Sequence, residues 1–248
     1  MLSYNVWFEH ERTFGVRMSA IAAIAHECSA SVVAFQELTS ENAPLLARAL
    51  KSARFGPIVR EETRSPYFCG LATRAPLGPL THARSVPYDD SLMLRGLVMG
   101  RCEWPGVGSV ALGSTHLESF VGLEQADRVN RNRVSQLQQA GAELAAEARR
   151  AGCKVAVLMG DLNWKEAENG DALALLNAGG EAWTDAWVAS GRPRTEEHTY
   201  DGPRNAMLNN RLYEAQRLGY VHFVTRGRDR ERRESLRGLD ENTHRECV

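Results

Sequence analysis

The sequence has no long apolar run and no excess of charge of one sign. Its apolar stretches, such as residues 155–159, fall far short of the about 20 residues that a membrane-spanning helix needs. No basic and apolar segment opens the chain, so we expect no secretory signal and no membrane partner. The 30 lysines and arginines nearly balance the 31 aspartates and glutamates. This balance excludes a uniformly basic nucleic-acid coat but leaves room for a local basic groove.

Cysteine patterns typical of metal or disulfide scaffolds are also missing. The five cysteines are scattered, odd in number and never spaced as Cys-x-x-Cys. This spacing predicts thiols in a reducing compartment rather than a disulfide framework or a zinc cluster. The His-Glu-x-x-His motif of zinc proteases and the phosphate-binding Gly-rich loop that ends in Gly-Lys-Ser/Thr do not occur, so both chemistries lack their residues.

The chain instead alternates short strand-like runs with amphipathic helices over 248 residues, enough for one large domain. Strands are predicted over 2–8, 31–35, 68–73, 94–103, 107–117 and 154–159. A long helix is predicted from about 125 to 151, because its apolar residues share one stripe and Gly152 follows two arginines. This alternation predicts an α/β fold but does not separate one sheet from two. Trp7, Trp164 and Trp187 are predicted to be core residues, since tryptophan is highly buried on average.

Polar side chains occur at the ends of four of these strand-like runs, where α/β sheets commonly build their sites. They are Asn5, Glu37, His116, Asp161 and Asn163. The two carboxylates offer hard oxygen ligands or a base, the asparagines offer neutral amides, and the histidine offers a cationic or hydrogen-bonding partner. One carboxylate with several amides suits Mg²⁺, which keeps most of its waters and binds substrate phosphate. The set therefore predicts a metal-assisted phosphoester hydrolase.

Longer motifs around these residues resemble the endonuclease/exonuclease/phosphatase superfamily, and within it the branch of tyrosyl-DNA phosphodiesterase 2. In family order they are Ser3-Tyr-Asn-Val-Trp7, Phe35-Gln-Glu37, Met93-Leu-Arg95, Ser114-Thr-His-Leu-Glu-Ser119, Arg133-Val-Ser-Gln136, Gly160-Asp-Leu-Asn-Trp164, Thr184-Asp-Ala-Trp187, Thr199-Tyr-Asp201 and Asn205-Ala-Met-Leu208. A single short motif is a weak signal, but the ordered set is specific. The resemblance implies a four-layer α/β sandwich in which two mixed sheets are flanked by helices.

The resemblance also implies a role for each matching residue. Glu37 matches the family's Mg²⁺ ligand, with Mn²⁺ as an alternative ion, and Asn5 beside it supports metal and phosphate. Asp161 matches the residue that orients or deprotonates the attacking water, assisted by Asn163. His116 matches a group that steadies the phosphate oxygens.

Three further residues match positions that contact the substrate in the family. Lys165 lies where the family has a basic contact to DNA phosphate, and Arg95 lies in the Met-Leu-Arg motif. Tyr200 lies where the family has an aromatic ring beside the DNA end, although a half-buried turn residue is an equal interpretation. The implied partner is a DNA end that carries a 5′-phosphotyrosyl adduct, and the implied location is intracellular, in the nucleus or the cytoplasm.

The resemblance fails at the end of the chain. The family ends with Ser-Asp-His on a late strand, and this tripeptide occurs nowhere in the sequence. We therefore expect a catalytic domain over 1–225, a divergent basic tail over 226–248 and a sheet that lacks its final strands. These features favour an enzyme of reduced activity. The alternatives are a catalytically degenerate module that binds DNA ends, or a phosphodiesterase that acts on RNA or small phosphodiesters.

Overall fold

A computed structural model describes residues 1–8, 14–191, 199 and 223–226, the last four through their backbone. Its strands are β1 (Leu2–Asn5), β2 (Val32–Thr39), β3 (Val59–Arg60), β4 (Tyr67–Thr73), β5 (Thr81–Pro87), β6 (Gly96–Trp104), β7 (Gly108–His116), β8 (Val155–Asp161), β9 (Trp183–Asp185) and β10 (Phe223–Arg226). Its α-helices are α1 (Phe14–Glu27), α2 (Asn42–Ser52), α3 (Ala126–Ala151), α4 (Glu166–Asn169), α5 (Ala172–Asn177) and α6 (Ala186–Ala189). None of the helices in these ranges is both long and apolar enough to cross a membrane.

The strands form two mixed sheets. The first has the order β1-β2-β4-β3, and the second has the order β5-β6-β7-β8-β10-β9. β1 runs parallel to β2, and β7 runs parallel to β8, whereas the other paired strands are antiparallel. The expected pair of mixed sheets is thus confirmed.

Three apolar clusters join these elements into four layers. Helices α1 and α2 cover the outer face of the first sheet, and α3 and α5 cover the outer face of the second. The inner faces meet in a third cluster that includes Val32, Leu71, Leu112 and Val157. β8 is buried along its whole length because both of its faces are covered, which explains its continuous apolar sequence.

The observed bounds depart from the predicted ones at the end of β1. This strand stops at Asn5 rather than at Phe8, and Trp7 takes a φ of 54°, which is uncommon for a residue with a side chain. Trp7 is consequently 41% exposed, so its prediction as a core residue is wrong, whereas Trp164 is buried. Trp187 is only half-buried.

The second sheet contains a strand from the late part of the chain. β10 pairs antiparallel with both β8 and β9. β10 therefore adds a strand from the late part of the chain to this sheet. The expected loss of the final strands does not extend to β10. Residues 227–248, most of the predicted basic tail, lie outside the described residues.

The cysteines differ in their chemical state. Cys69, Cys102 and Cys153 are buried free thiols, as predicted. Cys28 is disulfide-bonded, so the prediction of thiols is wrong at this position.

Leu112, fully buried between the sheets, should contribute strongly to stability. We expect Leu112→Ala to lower the free energy of unfolding by about 2–5 kcal/mol, because it removes apolar contacts and leaves a cavity. Urea titration of both proteins measures the change. The matched control is Leu123→Ala at a residue that is 86% exposed, where the change should stay within about 0.5 kcal/mol. Equal losses in the two variants would contradict the four-layer packing.

Candidate active site

The candidate residues converge at one end of the sandwich, where the two sheets meet. Asn5 ends β1 and Glu37 lies near the end of β2, both in the first sheet. His116 ends β7 and Asp161 ends β8, and these two residues face each other in the register of the second sheet. Parallel strands deliver their carboxyl ends to the same edge of a sheet, so each sheet supplies two neighbouring side chains.

The amide of Asn5 links the two carboxylates of the site. Its Nδ2 donates to Glu37 Oε1 at 2.7 Å and to Asp161 Oδ2 at 3.0 Å. Its Oδ1 accepts from the backbone N–H of Trp7 at 2.9 Å, which fixes the orientation of the amide. A neutral donor therefore holds together two acidic groups that come from different sheets.

The backbone around Glu37 is distorted in a way that directs its carboxylate into the site. The pairing of β2 with β4 shifts between Phe35 and Leu38, and Glu37 takes a φ of 61°. Such bulges and left-handed residues redirect side chains near functional sites. Asn42 stabilises the distortion, since its Nδ2 donates to the carbonyl of Glu37 at 3.0 Å and its Oδ1 accepts from the N–H of Thr39 at 2.7 Å.

Asp161 is held in a form suited to accepting a proton. Burial raises the pKa of its carboxyl above the ordinary value, and the charge of Glu37 raises it further. The hydrogen bonds from Asn5 and from the backbone N–H of Asn163 oppose this rise, the latter at 3.0 Å to Oδ1. A carboxylate with a raised pKa is a better base than a fully solvated one.

The surroundings of His116 favour a neutral imidazole with its proton on Nε2. Burial, followed by the charge of Arg95, holds the pKa of the imidazole well below its usual range. Arg95 Nη1 lies 2.6 Å from His116 Nδ1, and because a guanidinium can only donate, Nδ1 must accept. The N–H on Nε2 then faces Asp161 Oδ2 at 3.8 Å, which is longer than a hydrogen bond. Of the two chemistries considered for His116, hydrogen-bond donation is the one that this environment favours.

Arg95 is buried among protein groups. Its Nη2 donates to Ser119 Oγ at 3.1 Å, and its guanidinium lies 4.6 Å from the ring centroid of Tyr67. Ser119 Oγ also accepts from Asn163 Nδ2 at 3.2 Å, which connects Arg95 to the loop after β8. These contacts give Arg95 a structural role, and its contact with substrate stays a prediction.

The other two substrate-contact residues are placed less centrally. Lys165 directly precedes α4 and is half-buried, and its Nζ forms an ion pair with Glu168 at 3.0 Å. A DNA phosphate would therefore compete with this carboxylate for the ammonium group. Tyr200 lies outside the described residues.

The donor set fits a magnesium ion better than a zinc ion. Across the described ranges, no group of three or more histidines, cysteines, aspartates or glutamates is placed to hold a metal ion. Glu37 is half-buried, and both of its oxygens point into the site, where they accept from Asn5 and from the N–H of Phe8. Mg²⁺ needs only one or two carboxylates because waters and substrate phosphate complete its shell, whereas zinc takes three or four protein ligands.

Two buried amide residues, Gln36 and Asn42, support the site and were not predicted as site residues. Gln36 is fully buried, and its Nε2 donates to Ser3 Oγ at 3.3 Å and to Ser114 Oγ at 3.2 Å, so it joins the two sheets directly behind the site. Asn42 is the first residue of α2, and no sequence motif marks it as part of a site. The sequence signals for Gln36 were its polarity after an apolar strand and its place in the Phe35-Gln-Glu37 motif.

A family model described as "Endonuclease/Exonuclease/phosphatase family" matches residues 2–210. The chain belongs to this family. Among curated proteins, none matches the sequence. The family assignment confirms the expected superfamily, whose members are hydrolases. The expected similarity to the tyrosyl-DNA phosphodiesterase 2 branch rests on comparison with solved structures.

Solved structures with this fold include members of that branch. TDP2 from C. elegans is 20% identical with a TM-score of 0.72, and the match covers 91% of this chain and 64% of that one. D. rerio TDP2 complexed with single strand DNA product is 17% identical with a TM-score of 0.70, covering 93% and 85%. A family protein from Bacteroides thetaiotaomicron is 12% identical with a TM-score of 0.69, covering 91% and 80%. At these identities the likeness establishes the fold.

Gly160 should be irreplaceable beside Asp161. A Cβ at this position would lie 2.1 Å from the carbonyl oxygen of Thr115 on the neighbouring strand. We expect Gly160→Ala to lower the urea midpoint and to separate His116 from Asp161, because the two strands must move apart. The control is Gly78→Ala, where the nearest atom would be 3.9 Å away and stability should be unchanged or slightly higher. An unchanged midpoint in Gly160→Ala would refute the close approach of the strands.

Glu61 should make stability depend on pH. This carboxyl accepts from the N–H of Cys69 at 2.9 Å, and burial raises its pKa, only partly opposed by the hydrogen bonds from Cys69 and the charge of Arg95. A raised folded-state pKa gives stability that is present below the unfolded pKa, about 4.3, and is lost as pH rises through the folded pKa. The wild type should therefore lose stability relative to Glu61→Gln as pH rises from about 4 to 8. A difference between the wild type and Glu61→Gln that stays constant with pH would contradict the assignment.

Proposed function

We propose that this chain is a Mg²⁺-dependent phosphodiesterase that hydrolyses a 5′-phosphotyrosyl linkage, or a related 5′-end linkage, in DNA. The observation that carries the proposal is the amide of Asn5, which bridges Glu37 and Asp161 with His116 beside them. A metal-binding carboxylate, a base and a phosphate-facing donor are the groups that phosphodiester hydrolysis needs. Family membership supports the reaction class.

Asp161 and His116 have separate roles in the proposed reaction. A water attacks the phosphorus and passes its proton to Asp161, whose pKa is raised by burial. The N–H on His116 Nε2 donates to a phosphate oxygen as negative charge accumulates there. The bond from phosphorus to the tyrosyl oxygen breaks, and the leaving group departs as a phenolate whose conjugate acid has a pKa of about 10. Such a leaving group needs less protonation than an alkoxide.

Glu37 is the residue that would hold the magnesium ion, with Asn5 beside it. When bound, the ion supplies Lewis-acid stabilisation of the phosphate oxygens. The amide of Asn5, which donates to both Glu37 and Asp161, holds the carboxylate that would bind the ion close to the proposed base.

Exposed apolar side chains around the site support a nucleic-acid end as substrate. Trp7 and Phe8 follow Asn5 and are 41% and 38% exposed, and the Phe8 ring stacks on Tyr67 at 5.1 Å between centroids. Phe120, 56% exposed, follows Ser119. Aromatic faces stack on bases with about 1–3 kcal/mol each. The DNA product in the related D. rerio structure supports the same class, and action in DNA repair in the nucleus is part of the proposal.

A catalytically degenerate module that binds DNA ends is the second candidate. It is favoured by one observation, the absence of Ser-Asp-His from the full sequence. Loss of one transition-state donor costs roughly 10²–10³ in rate, so we propose a reduced rather than a full activity. Action on RNA or on small phosphodiesters is the third candidate, and a salt-dependent affinity for oligonucleotides would count against the small substrates.

The deciding experiment incubates the chain with a 5′-phosphotyrosyl oligonucleotide in Mg²⁺ and again in EDTA. We expect slow release of a 5′-phosphate end that EDTA abolishes. Glu37→Gln should abolish turnover, since it removes the charge that would hold the ion. The control is Glu103→Gln, which should leave turnover unchanged because Glu103 lies at the end of β6 that is remote from His116. Turnover that survives Glu37→Gln would remove the metal assignment. A folded wild type that binds the oligonucleotide but releases no product would favour the binding module.

A further inference from the structure

Glu118 is a fully buried acid beside the site that the reaction above leaves without a role. It follows β7 two residues after His116. Its Oε1 accepts from Ser91 Oγ at 2.6 Å, Leu92 N at 2.7 Å, Met93 N at 3.3 Å and Gln136 Nε2 at 3.2 Å. Its Oε2 is buried and has no hydrogen-bond partner among the described residues. One oxygen thus holds the whole segment 91–93.

This segment leads directly to Arg95. Ser91 Oγ donates to Glu118 and accepts from the backbone N–H of Arg95 at 2.8 Å, so one hydroxyl connects the two residues. Leu94, between them, takes a φ of 57°, a conformation that needs support from its surroundings. From Arg95 the contact continues to His116 Nδ1 at 2.6 Å. A continuous path therefore runs from Glu118 to the ring that faces Asp161.

Glu118 is itself fixed to α3. Its backbone N–H donates to Gln136 Oε1 at 3.1 Å, and its carbonyl accepts from Arg133 Nε at 2.7 Å. Gln136 Nε2 also donates to the carbonyl of Asp90 at 2.7 Å, immediately before the held segment. The long helix thus anchors the acid and the start of the segment together.

We propose that Glu118 is a positioning residue that acts through Arg95. By holding 91–93 it sets the guanidinium against His116 Nδ1 and so keeps the imidazole proton on Nε2, toward Asp161. The consequence for catalysis rests on the proposed function, because there His116 donates from Nε2. The consequence for the ring of His116 does not depend on any activity.

The test reads the tautomer of His116 by NMR of the full chain labelled with ¹⁵N-histidine, with the signal assigned by its loss in His116→Gln. The wild type should show a protonated Nε2 and a bare Nδ1. Glu118→Ala and Ser91→Ala should each give a mixture of tautomers, and Glu118→Gln should lie closer to the wild type because its oxygen can still accept. Ser91→Ala removes one hydroxyl and keeps the core, so it decides the question even if Glu118→Ala fails to fold.

The matched control is Gln139→Ala. Gln139 also connects this loop to α3, through the N–H of Asp89 at 3.2 Å and the carbonyl of Pro87 at 3.3 Å, and among the described residues these hydrogen bonds go to positions before segment 91–93. This variant should keep the wild-type tautomer and kcat. In an active preparation, Ser91→Ala and Glu118→Ala should lower kcat by up to about 100-fold, as expected for misplacement of a catalytic group, with a smaller effect on KM.

The two proposals can fail separately. A wild-type tautomer in folded Ser91→Ala would overturn the positioning role, whatever the activity. Absence of turnover in the wild type, together with mixed tautomers in both variants, would overturn the proposed function and support the positioning role.

Discussion

The whole site depends on the packing of one β-sheet against the other. Asn5 and Glu37 belong to the first sheet, and His116 and Asp161 belong to the second, so no sheet carries the complete set. The sheets are held by an apolar interface and, at the site, by the fully buried Gln36, whose amide reaches Ser114 on β7. Apolar contacts are non-directional, whereas a buried amide must keep its partners or leave polar atoms unsatisfied. Gln36 therefore specifies the alignment that burial alone would leave adjustable.

The acidic groups of the site are held by a neutral donor, Asn5, and the buried cation Arg95 contacts His116. Asn5 lies between two carboxylates that would otherwise repel, and Arg95 sits behind His116 rather than beside the acids. Burial and, after it, the charge of the guanidinium hold the pKa of the imidazole low, and the contact of Arg95 with Nδ1 leaves the single N–H of the neutral ring on Nε2, facing Asp161. A protonated imidazole would instead pair with Asp161 and remove the base, so the placement of Arg95 keeps acid and donor functions distinct.

The sequence predicted the local helices and strands better than the way in which they pair and pack. The apolar runs predicted β8, and the apolar stripe ending at Gly152 predicted α3 to within a residue. The five polar residues at the ends of the predicted strands lie close together in the structure, and their roles stay predictions. The existence of two sheets was expected only from resemblance, and the division of these residues between the sheets was not predicted, because strand pairing joins residues far apart in the chain.

Other features were set by interactions that no local pattern contains. Trp7 is exposed because the chain turns sharply after β1, although tryptophan is usually buried. The expected contact of Arg95 with substrate stays a prediction, and its contact with His116 had no local signal in the sequence. The bulge that directs Glu37 depends on Asn42 and on the pairing of β2 with β4. These features depend on contacts between elements that are distant in the sequence, so a local pattern does not predict them.

The order of the strands along the chain bears on how two copies of the chain can exchange elements. All strands of the first sheet precede residue 74, and those of the second follow residue 80, so the described backbone passes between the sheets once. A topology with a single crossover is compatible with domain swapping, in which two protomers exchange an identical element. In such a dimer each set of site residues would take Asn5 and Glu37 from one chain and His116 and Asp161 from the other. A mixed dimer of one chain altered at Glu37 and another altered at Asp161 would then contain one unaltered set and one doubly altered set.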